Sequence, residues 1–282
     1  MNSDAIILDM DGTLLTNANE ITEPLKDIVE QIRQQGIYVF IATGRTLKEA
    51  EDVLPRDFKV DGFVTANGMS VSIGETPLVE HVLPKQVVNE VVSLARKKHV
   101  YYEIHPIKGK RYVLKKDYQV LLGHLVEPKP ASVEKNEWFS LHEEFDKEIQ
   151  WVEELLYSNV IKMYFFSRDR LRMDEWKEEL SVLQRDYDFS MFSSTNHNVE
   201  VTVANISKAT GVRKLLEYVE IRPDQVIAVG DGENDLPLFE YVGYPVAMKN
   251  GSHVVQRAAK EVTRFTNEED GLYHFLKETF LS

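Results

Sequence analysis

Four apolar stretches of this chain end alike. Ala5-Ile6-Ile7-Leu8 runs into Asp9, Tyr38–Ala42 into Thr43, residues 62–66 into Asn67, and Val226-Ile227-Ala228-Val229 through Gly230 into Asp231. Segments with helical spacing lie between the first three. Thr22 reads as a helix N-cap with Glu23 and Pro24 in the first turn, Leu25, Ile28, Val29 and Ile32 recur three and four apart, and Gly36 marks the stop. A shorter helix is expected over residues 46–54. Uninterrupted apolar strands separated by helices are the pattern of a parallel sheet covered on both faces. In such sheets ligands bind beyond the carboxyl ends of the strands. The polar ends therefore converge on one sheet edge. The expected fold class is α/β, with a Rossmann-like doubly wound parallel-sheet core.

The same rhythm closes the chain, with a helix expected over 233–241, a short strand over 245–248, and helices over 253–260 and 271–279. The middle differs. It is richer in Lys, Glu and aromatic residues. Residues 84–99 read as an amphipathic helix, 101–105 and 111–115 as a hairpin around Gly109, and 171–183 as a helix. Residues 160–166, 189–192 and 199–203 read as strands. Hairpins mixed with helices indicate an inserted α+β domain over 84–203, between core segments 1–83 and 204–282. The acidic stretch 142–154 reads as a solvated helix face. His105, Lys108, Lys110, Arg111 and Tyr112 read as a solvated turn with a packed tyrosine.

The first strand delivers two acids into the run Asp9-Met10-Asp11-Gly12-Thr13-Leu14-Leu15. Carboxylates this close repel unless a positive charge lies between them. A divalent cation meets that need, and a metal beside a carboxylate suggests phosphate chemistry. The second acidic motif is Gly230-Asp231-Gly232-Glu233-Asn234-Asp235. It fails as a dinucleotide loop because Asp235 stands at the third glycine position. It fails as a calcium loop because Leu236 replaces the turn glycine and Val242 the bidentate glutamate. No Gly-x-x-x-x-Gly-Lys-Ser/Thr loop is present, which excludes a P-loop NTPase. Thr43-Gly44 offers a hydroxyl and N–H groups at a strand-to-helix junction, where anions are held favourably. Lys208 precedes a helix where the core resumes.

Composition narrows the partners. A net charge of −13 disfavours nucleic acid, while leaving room for a small phosphorylated ligand held by local cations. With no cysteine, thiol chemistry and disulfides are excluded. The Met1-Asn2-Ser3-Asp4 start lacks the layout of a leader. No apolar run approaches the ~18 residues of a membrane span. The expectation is a soluble cytoplasmic protein.

Asp9–Leu15, Thr43-Gly44-Arg45, Ser207-Lys208 and Gly230–Asp235, in this order, resemble the motifs of the haloacid dehalogenase (HAD) superfamily. The closest resemblance is to its Cof-type phosphatases of subclass IIB, which carry a large C2-type cap after the third core strand. The resemblance spans essentially the whole chain and implies an Mg²⁺-dependent phosphatase acting on small phosphate monoesters such as sugar phosphates. It implies Asp9 as nucleophile and Asp11 as general acid and base. It further implies Mg²⁺ on the Asp9 and Asp231 carboxylates and the Asp11 backbone carbonyl, with Asp235 orienting these groups. Thr43, Gly44, Lys208 and Asn234 are implied to hold the phosphate. Arg45 either faces the substrate with them or pairs with an acid. Ala209 stands where glycine is common and Gly251 where alanine is common; neither removes a reactive group. A phosphomutase and a non-catalytic phosphometabolite sensor are the alternatives on the same scaffold, and the oligomeric state is not legible.

Overall fold

A computed structural model of the chain describes residues 3–281. The Met1-Asn2 beginning of the start read above lies outside them. The chain divides into two compact units, Met1–Glu80 with Ile206–Ser282, and His81–Asn205.

The first unit is built on an eight-stranded sheet. Its strand order is Glu261–Val262, Tyr244–Ala247, Val226–Gly230, Ala5–Leu8, Tyr38–Ala42, Gly62–Thr65, Ser70–Ile73 and Thr76–Glu80. The first six strands run parallel, and the last two form an antiparallel hairpin on the edge. Leu8 lies level with Ile41 on one side and Val229 on the other. Chain order thus reverses at this strand, which opens a crevice beyond its carboxyl end.

Alternation along the strand sends Ile6 and Leu8 to one face and Ala5 and Ile7 to the other. The first pair packs with Leu25, Ile28 and Ile32 of helix Glu23–Gln34 and with Leu272 and Leu276 of helix Gly271–Phe280. The second packs with Val212, Leu215 and Leu216 of helix Lys208–Val219. Each fully buried Leu or Ile contributes roughly 2 kcal/mol. Apolar burial on this scale fixes the sheet, so the polar groups at its end are free to be electrostatically unfavourable.

Three local details depart from the sequence reading. Thr22 precedes its helix as expected, but its hydroxyl donates to Asp270 Oδ1 at 2.8 Å and makes no cap. The expected helix over 233–241 divides into a turn, Glu233–Asp235, and a helix, Leu236–Tyr241. The cause is Asp235, whose Oδ2 accepts from the Asp231 and Gly232 N–H groups at 3.1 Å. The edge hairpin between Ser70 and Glu80 is an addition that the reading lacked.

The second unit has a six-stranded sheet in the order Phe189–Phe192, Asn198–Val203, Val160–Phe166, Tyr101–Pro106, Tyr112–Leu114 and Gln150–Val152. Helices Lys85–Lys98 and Arg170–Leu183 supply Val88, Val91, Val92, Met173 and Trp176 to its core. The acidic stretch 142–154 is not one helix face. Helix Lys135–Phe145 ends within it, and Gln150–Val152 pairs with Tyr112–Leu114. Trp151 anchors that strand, with ring centroids 4.7 Å from Tyr118 and 5.1 Å from Phe145.

The hairpin cluster also needs correction. Tyr112 is packed, and Lys108 and Lys110 are exposed, as expected. His105, however, is buried with Glu103, and Arg111 donates to Glu103 Oε2 at 2.7 Å. Burial pushes the Glu103 carboxyl upward, but the Arg111 charge and His105 overcome it and hold it down at about 2. Among the described residues no helix is long and apolar enough to cross a membrane.

Candidate active site

The crevice at the sheet edge is made by turns that the strands launch. Asp9 extends the first strand by one ladder bond, its N–H donating to Val229 O at 2.9 Å. The chain then folds tightly, with Met10 O accepting from the Thr13, Leu14 and Leu15 N–H groups. Gly12 sits at φ +72°, where a side chain is strained. A Cβ there would also stand 2.2 Å from Asp231 Oδ2, so glycine is what lets the two acidic turns approach.

Lys208 opens helix Lys208–Val219, after the Ser207 N-cap. Its ammonium is fully buried and donates to Asp9 Oδ1 and Asp235 Oδ1, each at 2.7 Å. Asp9, Asp231 and Asp235 each bring a carboxylate oxygen within 4.8 Å of the others'. One lysine therefore faces three carboxylates. Burial works against its charge, but Asp235 and Asp9 more than compensate, and it is held firmly protonated. The acids fare worse. Burial, then the neighbouring carboxylates Asp235 and Asp11, push Asp9 up to about 7 despite Lys208. Burial, then Asp9 and Asp235, push Asp231 well above the usual carboxylate range.

This is the charge distribution that a hard divalent cation relieves, and all-oxygen donors suit one. Both Asp235 oxygens already serve Lys208 and the loop N–H groups, so Asp9 and Asp231 are the carboxylates that fit it best. Thr13 Oγ1 steadies Asp231 Oδ1 at 3.1 Å.

Asp11 lies outside this group. Arg45 grips it at two points, Nε to Oδ2 at 2.9 Å and Nη2 to Oδ1 at 2.7 Å. Burial raises the Asp11 carboxyl, but the Arg45 charge and fork prevail, and it is held below its ordinary range. Of the two placements open for Arg45, the structure has the one in which it pairs with an acid. Two carboxylates two residues apart thus differ in kind, one disfavoured as an anion and one favoured.

Thr43 and Gly44 follow the strand Tyr38–Ala42. Thr43 is buried, and its Oγ1 accepts from the Arg45 N–H at 3.1 Å, which directs the hydroxyl proton elsewhere. A capping box between Thr46 and Glu49 starts the next helix. Asn234 donates to Asn67 Oδ1 at 3.1 Å, across from the third strand end.

Sequence reasoning named Asn67 as a strand end but not as a partner of Asn234. It missed Asn19, whose Oδ1 accepts from Arg45 at 3.0 Å, and Asn250, whose Nδ2 donates to Gly12 O at 2.7 Å. The strand-end pattern was a usable signal for Asn67. Lone asparagines in loops carry none.

Known proteins resemble this chain along nearly its whole length. The profile of the haloacid dehalogenase-like hydrolases matches residues 6–276. A 5-amino-6-(5-phospho-D-ribitylamino)uracil phosphatase of Bacillus subtilis is 26% identical over 287 residues, covering 98% of this chain and 97% of that protein. A haloacid dehalogenase-like hydrolase structure from B. subtilis superposes with a TM-score of 0.79 at 23% identity, covering 97% of this chain and 99% of that one. A sugar phosphatase of HAD subclass IIB superposes with a TM-score of 0.77 at 23% identity, covering 99% and 100%.

Proposed function

Because the chain belongs to the haloacid dehalogenase-like hydrolase family, we propose that it is a cytoplasmic, Mg²⁺-dependent phosphatase of small phosphorylated metabolites, working through an aspartyl-phosphate on Asp9. The observation that carries this is the site's asymmetry. Asp9 shares Lys208 with Asp235 beside Asp231, while Asp11 is set apart by Arg45. The relatives' names, a phosphoribitylaminouracil phosphatase and a sugar phosphatase, support sugar and polyol phosphates as the substrate class.

The Asp9 and Asp231 carboxylates and the Asp11 backbone carbonyl would hold the cation, which would supply the positive charge that lets an anionic nucleophile meet an anionic phosphate. Asp9 attacks phosphorus, one of its carboxylate oxygens forms the new P–O bond, and the bond to the leaving oxygen breaks. That oxygen takes a proton from Asp11. The resting Asp11 is held as a carboxylate, so this proton enters with the substrate. A phosphate monoester titrates near pH ~6 and brings one in its monoanionic form.

In the second step water attacks phosphorus, gives a proton to Asp11, and releases inorganic phosphate and free Asp9. Lys208, already beside Asp9, and the Thr43 hydroxyl, Gly44 N–H and Asn234 amide hold the phosphoryl oxygens as charge shifts among them.

A panel of phosphorylated sugars and polyols, read by released phosphate, tests the proposal. Turnover is expected with Mg²⁺, is expected to stop with EDTA, and to return when Mg²⁺ is restored in excess. Equal turnover in EDTA would refute the metal's part, and no turnover of any member would refute the phosphatase reading.

A further inference from the structure

We propose that Arg45 and Asn19 form a clamp that positions Asp11 for proton transfer, and that Arg45 acts through Asp11 rather than on the phosphate. The inference rests on the phosphatase reading above and assigns a task that the reading leaves open.

The geometry is specific. The Arg45 guanidinium meets Asp11 with two nitrogens, at 2.9 and 2.7 Å, and the second also donates to Asn19 Oδ1 at 3.0 Å. A planar fork on a carboxylate fixes the plane of the carboxylate as well as its distance. Asn19 fixes the fork in turn. It lies at φ 58°, a left-handed conformation that asparagine tolerates better than most residues. Its turn is closed by Asn19 N–H to Thr16 O at 2.9 Å and Thr16 N–H to Glu20 O at 3.0 Å.

The Arg45 backbone is anchored at both ends, its N–H on Thr43 Oγ1 at 3.1 Å and its carbonyl on the Ala66 N–H at 2.7 Å. Three separate loops therefore agree on one orientation of one carboxylate.

A stability role explains this less well. The Asp11 side chain is 39% exposed and that of Arg45 18%, against 8% and 0% for Asp9 and Lys208. A half-buried pair gives the fold less than a fully buried one, even in bidentate geometry. Asp11 is instead both reachable and held, which is what a proton-transfer group needs, because geometry precedes basicity in such steps. Arg45 thus commits Nε and Nη2, two of its three guanidinium nitrogens, to Asp11 and Asn19.

The two roles separate in the leaving-group dependence of the rate. The test uses full-length protein with Mg²⁺ and a series from dinitrophenyl phosphate, whose leaving group needs no proton, to phenyl phosphate, whose leaving group does. Arg45→Ala is expected to lower kcat for phenyl phosphate about 100-fold and for dinitrophenyl phosphate less than about threefold. KM and the inhibition constant of inorganic phosphate should stay within about twofold. Asn19→Ala should show the same pattern at about tenfold for phenyl phosphate, and it carries the test if Arg45→Ala fails to fold.

An equal fall in kcat across the series would overturn the clamp. So would a rise of about tenfold in KM and in the phosphate inhibition constant for every ester. Wild-type protein that turns over neither these esters nor any phosphorylated sugar or polyol overturns the phosphatase reading itself, an outcome distinct from either failure of the clamp.

Discussion

Asp9 and Asp11 stand two residues apart and meet opposite electrostatic fates. Burial and neighbouring acids push Asp9 up to about 7, whereas the Arg45 fork holds Asp11 down. A proton on Asp9 competes with a cation for the same oxygens, so binding one releases the other. The affinity for Mg²⁺ is therefore expected to climb as pH rises toward about 7 and to level off above it. Calorimetry in buffers of different ionisation enthalpy should detect the released proton, and a flat affinity between pH ~5 and ~7 would contradict the assignment. The stability of the metal-free protein carries the opposite sign. A carboxyl raised from 3.8 to about 7 on folding favours the fold below the lower value and loses that contribution as pH climbs through the upper. Asp9→Asn should reduce that slope, with Asp231, raised likewise, supplying the remainder.

Secondary-structure elements aim these residues, and their ends matter more than their middles. The helix after Arg45 begins at a reciprocal cap, in which the Thr46 N–H donates to Glu49 Oε2 at 2.7 Å and the Glu49 N–H to Thr46 Oγ1 at 3.3 Å. Thr46→Ala should cost about 1 kcal/mol in urea unfolding, and Thr46→Ser should retain most of it. A loss below about 0.3 kcal/mol for Thr46→Ala would show that packing alone starts the helix.

Much at this scale was legible in the sequence. The runs Tyr38–Ala42 and Val160–Phe166 are strands with the expected bounds, set mainly by burial of their apolar residues, with Lys162 paired to Glu200 at 2.7 Å. What was illegible depends on contacts between distant residues. Asp235 folds back on the loop before it and splits an expected helix. Trp151 draws part of an acidic stretch into a sheet. Glu103, the centre of a buried charge cluster, sits in a strand whose other residues are aromatic or apolar up to His105. In the candidate site, the acids and Lys208 were readable from motifs, whereas Asn19 reaches Arg45 only through a turn without periodicity.

The molecule as a whole carries two cores, and the probes to follow them separately are built in. All three tryptophans, Trp138, Trp151 and Trp176, belong to the inserted unit. Tryptophan fluorescence therefore reports that unit alone. Glu103→Ala leaves Arg111 without its carboxylate and should destabilise the inserted unit by about 3–5 kcal/mol. The fluorescence midpoint in urea should fall, while Mg²⁺ binding by the core, followed by calorimetry in the absence of urea, should persist. Loss of both together would show that the two cores unfold as one.

The central claim concerns the complete reaction. Wild-type protein turning over a phosphate ester with Mg²⁺, quenched in acid and digested, should yield the peptide bearing Asp9 with one added phosphoryl group by mass spectrometry. Asp9→Asn should yield none and release no phosphate while remaining folded. Undiminished phosphate release by Asp9→Asn, or a phosphoryl group trapped on another residue, would contradict the account.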